Sequence, residues 1–211
     1  MNNFNGMIFI VIFLSIAVFL LYAFLKYRSR KARDGILGEL GYFPCRVKNE
    51  VPSFDAKMIS DFLSRGICLS SSRRKDINNG VLYFLDVLSV FGRGAYSGPS
   101  HVSCLLFKPA FHAPDFKLRA ARLLETKYEL RGSSIIDESK KLHLWGDFQA
   151  ESFIASNRAL SELLGRDAHL CLNVEGGCML LWSLEGFFRN HELESYLSTF
   201  ENSFRNVRPI I

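Results

Sequence analysis

The sequence predicts an α+β protein: a single N-terminal transmembrane helix followed by a mainly antiparallel sheet with packed helices. Three observations predict this. Residues 7–25, MIFIVIFLSIAVFLLYAFL, carry no charge. Beyond them, short β-branched or aromatic runs come in pairs joined by compact glycine-containing turns, which is the pattern of hairpins rather than of parallel crossovers. Helix-length segments with apolar residues at helical spacing stand among those pairs. With 48% hydrophobic and 13% aromatic residues among 211, the chain is too apolar for global disorder, and five cysteines are too few for a disulfide-stapled scaffold.

The apolar helix comes first. Fourteen of its nineteen residues are Phe, Ile, Leu or Val. A helix of that length rises about 28 Å at roughly 1.5 Å per residue, close to a hydrocarbon core of ~30 Å. Each of those side chains favours insertion by roughly 0.3–0.6 kcal/mol at the helix centre, so together they outweigh Ser15. Nineteen residues without a polar face do not suit a soluble core helix. The flanks argue against a cleaved leader: residues 1–6 lack a basic residue, no small-x-small site follows, and the chain passes directly into Lys26, Arg28, Arg30, Lys31 and Arg33. The segment therefore reads as an uncleaved anchor, with Met7, Phe9, Phe13, Phe19, Phe24 and Leu25 toward the lipid bilayer and the five basic residues toward its headgroups. Five basic residues on the C-terminal side against none on the N-terminal side place the N-terminus outside and the main domain in the cytoplasm.

The net charge is +5 and the pI about 9.0. Setting aside the five juxtamembrane residues leaves 21 basic against 21 acidic residues. The basic balance thus belongs to the membrane boundary, and no nucleic-acid partner is expected despite the local run Arg73, Arg74, Lys75.

Residues 31–40 extend the first helix to a cap near Gly41. A short strand over 42–47 follows, then a helix from Ser53 to Leu63 closed by Gly66, then a short strand over 67–71. Residues 81–91 form a long strand after Asn78-Asn79-Gly80, and 101–107 its partner. The glycines between them lead into a strand rather than the N-terminus of a helix, so the segment is a hairpin connection and not a phosphate cradle. Arg93 and Tyr96 are its candidates for outward contact.

The second half begins after Pro114-Asp115-Phe116. Residues 128–131 and 141–145 read as strands. Asp147 caps one helix over 148–164, stopped by Gly165. A hairpin over 169–174 and 178–184 turns at Glu175-Gly176-Gly177, and the last helix spans 190–204. Phe187-Phe188, just before it, is a candidate docking pair for a partner or membrane, or a staple on the helix entry. The chain divides into an anchor with its basic segment, 1–33, and an α+β domain, 34–211, with halves 34–120 and 121–211 as the alternative.

The long strand with its Gly-x-Gly loop, Pro114-Asp115-Phe116, the Leu144-Trp145-Gly146-Asp147 turn, and the Val174-Glu175-Gly176-Gly177 hairpin ending in Leu180-Leu181-Trp182 together resemble a group of uncharacterised bacterial membrane-associated proteins. The resemblance spans about residues 36–205. It implies a bacterial origin, hence the inner membrane, and a fold. It implies no activity and no catalytic residue.

Chemistry-bearing residues are scattered. Cys45, Cys68, Cys104, Cys171 and Cys178 include no C-x-x-C, so no zinc site is expected. If Glu175-Gly176 is the two-residue turn, Cys171 faces Leu180 and Cys178 faces Asn173, which excludes a disulfide between them. None of His101, His112, His143, His169 and His191 is paired at i, i+4. His169 and Cys171 share one strand face, a spacing that suits a thiolate–imidazolium pair or packing alike. Ser133-Ser134 lacks a nucleophile elbow. Asp137-Glu138 and Glu192 with Glu194 read as solvated helix starts.

No metal, cofactor or catalytic residue is assigned. The function read from this pattern is a binding or regulatory module acting on a membrane-proximal protein partner, as a scaffold or as a neutraliser of a membrane-acting protein. Tethering raises its effective concentration there. The alternatives are a membrane-tethered enzyme using His169, Cys171 and the 92–98 loop, and an anionic-lipid-binding module.

Overall fold

A computed structural model describes residues 2–46, 67–90, 99–121, 131–139, 141–166, 169–183 and 190–208. The chain divides into two units, Met1–Leu40 and Gly41–Ile211. The first is helix α1, Asn2–Glu39. Gly35 and Gly38 do not interrupt it. It ends where Leu40 donates its N–H to the Ile36 carbonyl and Gly41 takes a left-handed φ of +82°. The helix thus runs on through residues 31–39 to the cap expected near Gly41, where the second unit starts.

The second unit is a nine-stranded sheet with three described helices. Its strands are β1 (Phe43–Pro44), β2 (Ile67–Ile77), β3 (Gly80–Val90), β4 (Pro99–Pro109), β5 (Phe116–Ala120), β6 (Ser134–Asp137), β7 (Leu142–Trp145), β8 (Leu170–Glu175) and β9 (Cys178–Ser183). They lie in the order β1-β2-β3-β4-β9-β8-β5-β7-β6, and each pairing is antiparallel. The helices are α2 (Phe148–Ser156), α3 (Arg158–Arg166) and α4 (Asn190–Arg205).

Strand register explains where the helices sit. Lys75, Leu82, Phe107, Met179, Val174 and Phe116 are successive partners in one row across six strands, so their side chains share a face. That face receives the helices: Phe107 stacks on Phe204 of α4 at 4.8 Å, and Phe116 meets Phe153 of α2 at 5.7 Å. Helix α4 buries Leu193, Leu197, Phe200 and Phe204, one stripe at helical spacing. The adjacent row, Arg74, Tyr83, Leu106, Leu180, Asn173, Lys117 and Trp145, points the other way. Its centre is buried as well, with Tyr83, Leu106 and Leu180 at 2% exposure or less. A sheet closed on both faces needs apolar residues at consecutive positions, which is why Leu82 to Leu85 are all buried.

Several expectations are corrected. Strand β2 runs to Ile77 rather than ending at Ser71, because the charged stretch Arg73-Arg74-Lys75 alternates between faces and pairs with β3 throughout. Phe116–Ala120 is an interior strand, and Ser134–Asp137 is the edge strand, so Asp137 ends a strand and does not start a helix. The expected helix over 148–164 is two helices, and Gly165 lies within the second rather than stopping it. Asn157 makes the break: its Nδ2 donates to the carbonyls of Phe153 and Arg208, and its Oδ1 accepts from the Arg208 N–H at 2.8 Å.

The second hairpin turns at Gly176-Gly177, with φ of +58° and +74°, the two positive values that a type I′ turn requires. The turn sits one residue further on than expected, so each pairing shifts by two residues: Cys171 faces Trp182, and Cys178 faces Glu175. The two cysteines still do not face each other. The expected helix over 53–63, the 91–98 connection, residues 128–130 of the strand expected at 128–131, and Phe187-Phe188 lie outside the described residues; Arg131 lies in a turn rather than a strand.

Asp147 is an N-cap as expected, its Oδ1 accepting from the Ala150 N–H at 3.0 Å. Asp147→Ala removes that acceptor and is expected to cost about 1 kcal/mol in chemical unfolding, with far-UV dichroism of the native state unchanged.

Candidate functional site

Helix α1 carries the chain's most distinctive surface. Every large apolar side chain from Ile10 to Leu25 is at least half exposed, including Phe13 at 72% and Phe19 at 68%. Burial of such a helix in a soluble core would reverse those values. This one helix is long and apolar enough to cross a membrane. Its lone hydroxyl, Ser15 Oγ, donates to the Val11 carbonyl at 2.8 Å, so it brings no unmet donor into an apolar medium.

Polar character begins at Tyr22, whose ring lies 5.7 Å from Lys26 Nζ one turn on. Tyr and Lys at the end of an apolar span suit the boundary between hydrocarbon and water. Phe13, Phe19, Phe24 and Leu25 lie exposed on this helix as the anchor reading requires, whereas the side chains of Met7 and Phe9 fall outside those described. Arg28, Arg30 and Lys31 are exposed and Lys26 is half-buried. Arg33 is buried, one helical turn before buried Leu37.

Within the second unit, two clusters of described side chains lie on the sheet faces. On the helix-bearing face, Lys75 Nζ contacts both carboxylate oxygens of Glu201 at 2.8 and 2.6 Å, and Arg205 reaches the same carboxylate at 3.5 Å. Tyr42 lies against them, its ring centroid 5.4 Å from Lys75 Nζ. The Tyr42 hydroxyl is enclosed without a well-aligned hydrogen-bond partner. Burial first, and then the neighbouring Glu201 carboxylate, hold its pKa far above that of an ordinary phenol. The Lys75–Glu201 contact ties β2 to α4.

The second cluster is on the opposite face, where β5 and β7 adjoin. Arg119 pairs in register with His143 on one side and Cys171 on the other, and Lys117 pairs with Trp145. The Trp145 ring lies 5.0 Å from the Arg119 guanidinium and 5.6 Å from Lys117 Nζ. His143 Nδ1 lies 2.8 Å from Ser133 Oγ. Arg119 and His143 are both buried. A Ser–His contact is half of a nucleophile–base pair, but a base at His143 would have to accept positive charge directly across from Arg119. The arrangement instead holds cations on an indole face. The cluster depends on strand β5, whose signal in the sequence is the alternation Lys117-x-Arg119, matched by His143-x-Trp145.

The thiol–imidazole candidate has no solvent-open thiol. His169 lies in an exposed turn before β8, and Cys171 is fully buried within it. Cys104 is buried, and its pKa is driven far upward by burial and then by Asp86; burial likewise raises that of Cys178. These thiols pack as small apolar groups. Among the described residues, no group of three His, Cys, Asp or Glu side chains is placed to hold a metal ion. Arg93, Tyr96, Phe187 and Phe188 lie outside the described residues.

No protein-family model matches the chain, and no curated protein matches it significantly. Among solved structures, the mycobacterial trehalose monomycolate transport factor A, TtfA, is similar, with a TM-score of 0.55 over 86% of this chain and 97% of that one, at 10% identity. The likeness is one of fold: an α+β chain with a large antiparallel sheet.

Proposed function

We propose that this chain is a single-pass membrane accessory protein whose α+β domain binds a membrane-proximal protein partner as a scaffold or regulator. The observation that carries this reading is the exposed apolar run Ile10–Leu25, followed by exposed Arg28, Arg30 and Lys31 and joined in sequence to a sheet domain whose Cys104, Cys171 and Cys178 are buried. A helix of this kind has a favourable environment only in lipid, and the domain it carries then samples the membrane surface at high effective concentration. The basic residues after Leu25 support an orientation with the N-terminus outside and the domain in the cytoplasm of a bacterial cell. Lys26, Arg28, Arg30 and Lys31 would rest among anionic headgroups there. The fold likeness to a transport factor fits an accessory role beside another membrane protein.

Purification of the tagged full-length protein from native membranes in mild detergent tests the reading. A membrane protein in stoichiometric amount is the expected result. Recovery of the chain alone would contradict it.

A further inference from the structure

Helices α2 and α3 overhang the edge strand β6 and leave an open groove of about 490 Å³ between them. Its apolar lining comes from Ile135 and Ile136 of β6 and Ile154 and Ala155 of α2. Its charged lining is one-sided: the carboxylates of Asp137, Glu151 and Glu162 against the single guanidinium of Arg158. Ser134 Oγ donates to Glu151 Oε1 at 3.0 Å, which orients that carboxylate while leaving it further acceptor positions. Glu162 also lines a smaller groove, about 270 Å³, between α3 and α4, and so stands between the two. Three large apolar side chains are exposed among the described residues of the second unit, and two of them, Ile135 at 55% and Phe148 at 80%, belong to β6 and α2.

We propose that this groove receives a basic, extended segment of the partner protein. One apolar side chain would rest on the isoleucine lining, and flanking Lys or Arg would meet Glu151 and Glu162. The charge selects the occupant: an anionic headgroup or a nucleic acid would meet three carboxylates, whereas a basic peptide is complementary to them. The setting selects the form, because β6 is the last strand of the sheet among the described residues and a groove beside such a strand suits an extended chain with alternating side chains. The proposal deepens the partner-binding reading and rests on it.

The test uses the full-length protein in uncharged detergent and a short fluorescein-labelled peptide alternating lysine and valine, with a glutamate–valine peptide as its counterpart, read by fluorescence anisotropy. Saturable binding of the lysine peptide is expected. Glu151→Lys with Glu162→Lys should weaken it about tenfold or more and allow the glutamate peptide to bind instead. Reversal at two exposed sites elsewhere, Glu175→Lys with Glu194→Lys, should leave it unchanged. All four positions are exposed, so native dichroism should persist in both variants.

No binding, equal binding of the two peptides, or equal loss in both double variants would overturn the groove assignment. If a partner still co-purifies, that failure moves its docking elsewhere on the domain. The absence of any partner sinks the anchored-binding reading itself.

Discussion

Arginine in place of both Phe13 and Phe19 is expected to release the chain from the membrane. The two side chains are 72% and 68% exposed near the middle of the apolar run, so neither supports a core elsewhere. An arginine at a helix centre costs roughly 2.5–3.5 kcal/mol on the insertion scale, and each lost Phe forfeits roughly 0.3–0.6 more, for about 6–8 kcal/mol in the pair. The fourteen large apolar residues of the run favour insertion by about 4–8 kcal/mol in total on the same scale. The two sums are comparable, so the pair erases the driving force. After alkaline extraction, the original chain should sediment with membranes and the double variant should not. Thermal unfolding of the α+β domain should be unaffected, because no residue of the second unit changes.

Glu201→Ala is expected to produce the largest stability loss among single charge removals in the domain. Glu201 is nearly closed off, with its side chain at 8% exposure, and it neutralises Lys75, whose side chain is at 20%. Removing the carboxylate leaves an ammonium half-buried beside the Tyr42 ring with Arg205 nearby, a site that no longer offsets its charge. Breaking a buried pair in this way costs about 3 kcal/mol, the lower end of the usual range because Lys75 retains some access to water. Replacing both partners, Lys75→Met with Glu201→Leu, should recover most of that loss, since well-packed apolar groups can substitute for an enclosed ion pair. Urea unfolding of the single and double variants in one detergent measures both effects. A double variant weaker than Glu201→Ala would show that the pair contributes more than mutual neutralisation.

The apolar helix was legible because its signal is compositional and continuous: nineteen uncharged residues leave little to interpret. The antiparallel class was legible for a related reason, since the glycines of 92–98 and Glu175-Gly176-Gly177 announce hairpin connections locally. The edge and interior strands of the second half were not. Strand β5 is five residues long and carries Lys117 and Arg119, and β6 has four residues and a register shift before Asp137, so neither shows a run long enough to establish a period.

The clusters depend on pairings that spacing along the chain does not reveal. Trp145 meets Arg119 only because β5 and β7 are neighbours in the sheet, and Lys75 meets Glu201 across 126 positions. Asn157 looked like one more residue on a helix; its role in ending α2 follows from bonds to Arg208 near the chain's end. The groove beside β6 was hidden for the same reason as β6 itself.

The central claim is that residues 7–25 stay attached and hold the α+β domain at a lipid bilayer. Intact-mass analysis of the protein extracted from the membrane fraction tests it most directly. A polypeptide that still contains Ile10 through Leu25 and is recovered with membranes is the expected result. A polypeptide beginning beyond Leu25, or a full-length one found in the aqueous fraction, would contradict it.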